Sequence, residues 1–264
     1  MPSTLPLVLS LSGHDPTGGA GIQADIEVLT RLGCLACTVV TALTVQDTRD
    51  VRRILPQPAE DFLEQARILL ADMQVAAVKI GLLGSAAIAC AVAEILDEVR
   101  GVPVVLDPVL AAGGGRSLAS DRVIEVLRSS LIPRATVLTP NTPEARALTG
   151  TDDADAAALE LLALGCPNVL LTGAHEAGPE VVNHWYAAGG RRAYRWPRLP
   201  ASYHGSGCTL AAAVAAGLAR GLDLEASIAV AQRFTWDALR RGVRPGRGQH
   251  LPYRALAETR AAGE

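Results

Sequence analysis

His204-Gly205-Ser206-Gly207-Cys208-Thr209-Leu210 runs straight into Ala211-Ala212-Ala213-Val214-Ala215-Ala216. Small residues thus lead into a run of strong helix formers. A glycine turn that opens a helix leaves backbone N–H groups unpaired at the positive end of the helix dipole. Such an arrangement binds anions, phosphate above all. Gly205 and Gly207 let the backbone approach a ligand closely or take a positive φ. Cys208 stands at the helix start, where a thiol pKa tends to fall. The stretch also reads as an ordinary loop-to-helix junction with a buried Cys, and a short glycine motif alone does not separate the two.

The rest of the chain sets the frame around this turn. Its 264 residues suffice for one large α/β domain, taken as residues 1–264. Apolar residues make up 49% and aromatics 3%, with Ala, Val and Leu dominant, which favours helices packed on a buried parallel sheet. The net charge is −3 with no basic run, which argues against nucleic acid as a partner. No apolar run approaches the roughly 20 residues a membrane span needs. The cysteines, Cys34, Cys37, Cys90, Cys166 and Cys208, lie in apolar or helical surroundings. The start, Met1-Pro2-Ser3-Thr4, lacks the charged region of a signal peptide. A reduced, cytoplasmic protein is expected. Cys34-x-x-Cys37 has redox or zinc spacing but no second pair to complete a site.

Read in order, the chain alternates strands with helices. Residues 5–12 form an apolar first strand, ending in the glycine-rich Gly13-His14-Asp15-Pro16-Thr17-Gly18-Gly19-Ala20-Gly21. Ile22, Ile26, Leu29 and Leu32 then mark a helix by their spacing, with Asp25 in its first turn. A strand over 36–45 runs into Gln46-Asp47-Thr48, where the Gln46 amide can both donate and accept toward a flat heterocycle or serve a turn. A strand over 75–80 carries Lys79, which needs a carboxylate or phosphate partner if buried. Ser85 is placed to cap the next helix. A strand over 102–106 ends at Asp107-Pro108-Val109, and residues 111–116 read as a flexible flap. A helix over 121–131 and a strand over 136–139 lead to Pro140-Asn141-Thr142-Pro143-Glu144. There Asn141 and Glu144 either offer oxygen ligands to a hydrated Mg²⁺ or cap their own helix. Further on come a strand over 168–171 ending at Thr172, a hairpin over 181–196 at the sheet edge, the opening turn with its helix, and a last helix over 226–241.

All these polar candidates fall at strand ends, and in a parallel sheet those ends share one edge. Their order resembles the ribokinase superfamily, and within it the hydroxymethylpyrimidine/phosphomethylpyrimidine kinases of thiamine biosynthesis. The resemblance rests on Gly13-x-Asp15-Pro16-x-Gly18-Gly19-Ala20-Gly21-Ile22-Gln23-Ala24-Asp25, Gln46-Asp47-Thr48, Lys79-Ile80-Gly81, Asp107-Pro108-Val109, Asn141-x-x-Glu144 and His204-Gly205-Ser206-Gly207-Cys208. It implies a three-layer sandwich: a mostly parallel sheet, helices on both faces, no large lid domain. A homodimer is implied too. The implied reaction moves the ATP γ-phosphoryl group to 4-amino-5-hydroxymethyl-2-methylpyrimidine, and a second one to its monophosphate. Carried over residue by residue, it places Gly13, Asp25, Gln46, Leu82 and Val109 at the pyrimidine. It puts Asn141, Glu144 and Thr172 at ATP, with Asn141 and Glu144 holding Mg²⁺ through water. Gly205, Ser206, Gly207 and Cys208 become the anion hole and the catalytic position. Cys208 stands where many ribokinase relatives carry an Asp base. The preferred expectation is a thiolate base; the other is a thiol that shapes the pocket.

The chain departs from the pattern in three places. Thr172-Gly173-Ala174-His175 replaces Lys-Gly-Gly-His, removing a positive charge near the nucleotide. Leu82 stands where many relatives have Met, and His14 replaces a small residue. Two other functions fit the same motifs: a pyridoxal kinase, and a pyrimidine-binding regulator without turnover. Asn141, Glu144 and Cys208 count against the regulator, because a sensor needs none of the phosphoryl-transfer parts.

Overall fold

In the computed structural model, which describes residues 5–113 and 115–255, nine strands join in one sheet. They are β1 (Leu7–His14), β2 (Leu35–Gln46), β3 (Val51–Pro56), β4 (Ala77–Ile80), β5 (Val104–Leu106), β6 (Val137–Leu138), β7 (Asn168–Leu171), β8 (Glu180–Ala187) and β9 (Gly190–Pro197). Their order is β3-β2-β1-β4-β5-β6-β7-β8-β9. From β2 to β7 all neighbours pair parallel, while β3, β8 and β9 add antiparallel edges. Met1-Pro2-Ser3-Thr4 and Gly114 of the expected flap lie outside the described residues.

Among the described residues eight α-helices cover the two faces: α1 (Gly21–Arg31), α2 (Ala59–Asp72), α3 (Ala86–Glu98), α4 (Asp121–Val126), α5 (Thr142–Thr149), α6 (Ala154–Ala163), α7 (Ser206–Ala219) and α8 (Leu224–Arg240). Phe62 of α2, Ile88 and Ile95 of α3, Leu148 of α5 and Leu161 of α6 build the core on one face. Val28 and Leu29 of α1, the Ala-rich α7 and Ile228 of α8 build it on the other. The central strands are therefore buried on both sides, which is why they read as apolar runs rather than alternating patterns. In α7 every residue from Thr209 to Gly217 is buried. Its small side chains bring the helix close to the sheet, and Gly217 lets α8 approach so near that a Cβ there would lie 2.6 Å from Ser227 Oγ.

The three-layer α/β architecture is the expected one, with local differences. β2 runs on to Gln46 and turns back as β3, a strand the sequence pattern did not reveal. The expected helix over 121–131 is α-helical only to Val126, then widens into a π turn (Leu127–Leu131) and a 3-10 turn (Ile132–Arg134) where Pro133 ends it. Residues around the expected flap form a tight turn, with Ala112 N–H on Arg116 O at 2.8 Å and Ala111 bridged to Ser117. No helix among the described residues is long and apolar enough to cross a membrane.

Candidate active site

The carboxyl ends of β1, β2 and β5 to β7 open on a cavity of about 600 Å³. β1 lies between β2 and β4, so successive connections leave toward opposite faces and the crevice opens at that switch. Gly205 to Cys208 line it from the start of α7, and Asn141, Glu144 and Thr172 line it from the start of α5 and the end of β7.

The turn before α7 has the geometry of an anion hole. Gly205 is its N-cap, at φ +85° in the left-handed region. A Cβ there would sit 1.8 Å from the Gly19 carbonyl oxygen, so both the conformation and the approach demand glycine. No side chain caps the helix. The first amides of α7 therefore have no intrahelical acceptor and face the cavity at the positive helix end.

The expected lowering of the Cys208 pKa does not occur. Burial pushes the thiol up to about 12; Lys79 pulls down against it, and Asp107 and Asp25 push further up. Desolvation and the neighbouring carboxylates favour the neutral thiol near neutral pH.

At α5 the helix start is built the opposite way. Asn141 Oδ1 accepts from Glu144 N–H at 2.8 Å, and Glu144 Oε2 accepts from Asn141 N–H at 2.9 Å. The cap is thus complete, and both side chains still line the cavity. Burial raises the Glu144 pKa, and the Asp107 carboxylate raises it further. Burial raises Asp107 as well, against the pull of Lys79. Two carboxylates crowded on one cavity offer hard oxygen ligands that fit a divalent cation, which would relieve their mutual repulsion. Among the described residues no group of three or more His, Cys, Asp or Glu is set to hold a metal, so such an ion would keep several waters and phosphate oxygens as ligands.

Gly13, Gln46, Leu82 and Val109 line the cavity between these helix starts. Asp25, expected there, does not: it is fully buried below the lining. Its Oδ2 accepts from Ser10 Oγ at 2.6 Å and from Lys79 Nζ at 2.9 Å. Lys79 thereby finds the carboxylate its burial requires, and that partner, with Cys208 and Asp107, raises its pKa against the effect of burial.

Three charged or titratable residues of the wall stand out beyond the expected set. Asp107 is one, although its place after β5 was visible. Asp15 and His204 are the others: His204 Nε2 lies 2.8 Å from Asp15 Oδ2 and 3.4 Å from Gln46 Nε2. Their partnership joins positions 189 apart in the chain, and no local pattern signals it. Thr172 lines the cavity and pairs through its N–H with Pro140 O at 2.8 Å. His14 and His175 line it too.

With this geometry in place, the likeness to known proteins becomes specific. The family model described as phosphomethylpyrimidine kinase matches residues 15–254. The chain is 39% identical over 260 residues to the hydroxymethylpyrimidine/phosphomethylpyrimidine kinase of Streptomyces coelicolor, covering 94% of this chain and 93% of that protein. It is 40% identical over 247 residues to the thiamine biosynthesis bifunctional protein ThiED of Geobacter sulfurreducens, covering 91% of this chain and spanning only half of that longer protein. Among solved structures, the ADP complex of Bacillus subtilis pyridoxal kinase matches with a TM-score of 0.88 at 28% identity, over 94% of this chain and 97% of that one.

Proposed function

Because the chain belongs to the phosphomethylpyrimidine kinase family, we propose that this cavity is where it phosphorylates 4-amino-5-hydroxymethyl-2-methylpyrimidine and then the monophosphate. It is a kinase of thiamine biosynthesis, with ATP as phosphoryl donor. The observation that carries the assignment is the pair of helix starts lining one cavity: α7 left bare for an anion, α5 closed by its own cap and presenting Glu144 beside Asp107.

The pyrimidine ring lies among Gly13, Gln46, Leu82 and Val109, with the Gln46 amide matching ring nitrogen and amino group as acceptor and donor. This points the hydroxymethyl group at Cys208 and the turn. The amides after Gly205 hold the migrating phosphoryl oxygens, worth on the order of 10²–10³ in rate per donor. Phosphoryl transfer asks for alignment and charge neutralisation more than covalent help, so a neutral Cys208 suffices to orient the alcohol oxygen and shape the pocket. The ATP phosphates reach in past Asn141, Glu144 and Thr172. Mg²⁺ bound there through water would neutralise phosphate charge. Asp25, held by Lys79, supports the floor rather than touching the ring.

The proposal extends to a single catalytic domain, a cytoplasmic location and a homodimer. Leu43 and Leu55, cross-strand partners on β2 and β3, and Val45 expose apolar side chains on one ribbon face that a second copy would cover. Sedimentation of the purified chain at twice the 27.5 kDa chain mass is the expected result.

The test is a mass-resolved assay with ATP and Mg²⁺, offering hydroxymethylpyrimidine, its monophosphate and pyridoxal separately. Mono- and diphosphate products from the pyrimidines are expected. Product from pyridoxal alone would move the chain to the activity of its Bacillus neighbour. Tight pyrimidine binding with no product from any of the three would make it a regulator.

A further inference from the structure

Arg254 follows the last helix in a segment without regular secondary structure, yet its side chain is 1% exposed. The segment carrying it is woven into the fold. Val243 and Leu251 exchange two backbone hydrogen bonds, and Tyr253 N–H donates to Ala238 O at 3.0 Å. His250 accepts from His204 N–H and donates to Ser202 O, both at 2.9 Å, so the same segment fixes the approach to the anion turn.

From this anchored backbone the guanidinium reaches three elements at once. Nε donates to Thr209 Oγ1 at 2.9 Å, in the first turns of α7. Nη1 donates to Gly18 O at 3.4 Å and pairs with Glu27 Oε2 of α1 at 3.1 Å. Nη2 donates to Gly19 O. Thr209 in turn donates its hydroxyl to Gly205 O at 2.7 Å. A continuous chain of hydrogen bonds therefore runs from Arg254 through Thr209 to the left-handed Gly205. The Gly19 carbonyl that Arg254 holds is also packed against the Gly205 backbone, a steric contact rather than a hydrogen bond. Only a planar fork with several fixed donors can hold these directions together; a Lys ammonium of similar reach cannot.

We propose that Arg254 is a positioning residue: it clamps the first glycine loop to the start of α7 and so fixes the aim of the amides at 206–208. It touches neither substrate nor nucleotide. The inference rests on the reading of that turn as the phosphoryl-binding hole. Its effect is on geometry at the moment of transfer, where a displacement near 1 Å costs on the order of 100-fold in rate.

The experiment compares Arg254→Ala and Arg254→Lys with the unsubstituted chain in the pyrimidine kinase assay, with folded fraction measured by thermal melting. The expected result is a fall in kcat of at least tenfold in both, with KM for the pyrimidine alcohol within about threefold. Millimolar guanidinium should restore part of the kcat of Arg254→Ala and leave the unsubstituted enzyme unchanged. Should Arg254→Ala not fold, Arg254→Lys carries the test, with the same split between kcat and KM. A kcat within twofold of the unsubstituted value overturns the proposal, as does a loss that tracks folded fraction without rescue. Gly207→Asp run alongside separates the two readings. If it loses activity while Arg254→Lys keeps it, only the clamp is wrong. If Gly207→Asp keeps activity, the anion hole and the clamp fall together.

Discussion

Two helix starts line one cavity, and they solve the same problem in opposite ways. Every α-helix begins with amides that have no partner in the helix. α5 satisfies them internally: Asn141 and Glu144 close a reciprocal cap, reinforced by Pro143 in the first turn. α7 leaves them bare, with a left-handed glycine where a capping side chain would stand. Capping is worth about 1 kcal/mol, so α7 forgoes stability that α5 keeps. The return is a site for negative charge on one side and for positive charge on the other, the two signs needed to align a phosphoryl donor with an alcohol.

The largest effect comes from giving α7 the charge it lacks. Outside its own helix, a Cβ on Gly207 would meet only the two Asp107 oxygens, at 3.7 Å, so a Cβ fits there. Gly207→Asp would occupy the positive helix end with a fixed carboxylate. We expect kcat/KM to fall by about 10³-fold or more, with Tm nearly unchanged because the acid favours the helix end while Asp107 opposes it. Activity within tenfold of the original would mean that the bare amides hold no phosphoryl group.

On the α5 side the corresponding change is Glu144→Gln. The amide oxygen can still accept from the Asn141 N–H, so the cap survives, but the charge is gone. The Mg²⁺ concentration for half-maximal rate should rise about tenfold. Thermal stability should fall only slightly, by about 1 kcal/mol, because the amide nitrogen cannot accept from Leu110 N–H as Oε1 does at 3.4 Å, while the carboxylate removed is one that burial and Asp107 disfavour. An unchanged Mg²⁺ titration would reduce α5 to a capped helix and nothing more.

What could be read from the sequence follows from the same contrast. The strand ends, the glycine turn and the Asn141–Glu144 pair are local patterns, and they fell where local patterns place them. β3 escaped because Arg52, Arg53 and Leu55 point outward from an edge strand with one buried residue, Val51, and no apolar alternation. The fate of Asp25 depended on Lys79, 54 positions away, and the clamp on Arg254 depends on carbonyls more than 230 positions away. Cys208 failed for a reason of magnitude. A helix start favours a thiolate, but desolvation of the half-buried sulfur beside two carboxylates favours the thiol, and only the fold brings those carboxylates there.

That reversal predicts a chemical rate. A thiol held near 12 exposes on the order of 10³-fold less thiolate at pH 7–8 than an ordinary cysteine near 8.5. In a Cys90→Ser background, which removes the exposed thiol, iodoacetamide should label Cys208 about 10³-fold more slowly than free cysteine, with a rate still rising at pH 9. Labelling at the free-cysteine rate with a plateau below pH 9 would restore the thiolate at the head of α7.

The smallest effect concerns how the bare helix start is held without a cap of its own. Asp15 takes over part of that work from outside: it binds His204 just before the turn and accepts from Thr17 and Ala20 N–H at 2.8 Å each. Burial alone would raise its pKa, but these partners, His204 foremost, bring it down to about 2 from 3.8. A carboxyl lowered by folding stabilises the fold above its unfolded value and loses that contribution as pH falls through the folded one. The difference is worth about 2 kcal/mol, complete above pH ~5 and gone below pH ~2. Urea unfolding of the original chain and of Asp15→Asn should therefore differ by about 2 kcal/mol at pH 7 and converge toward pH 2. α5, whose cap is internal, should be untouched, so the local stability lost at pH 7 should appear in hydrogen exchange at 204–209 and not at 142–145. A difference that stays constant with pH would mean that shape, not charge, holds the turn in place.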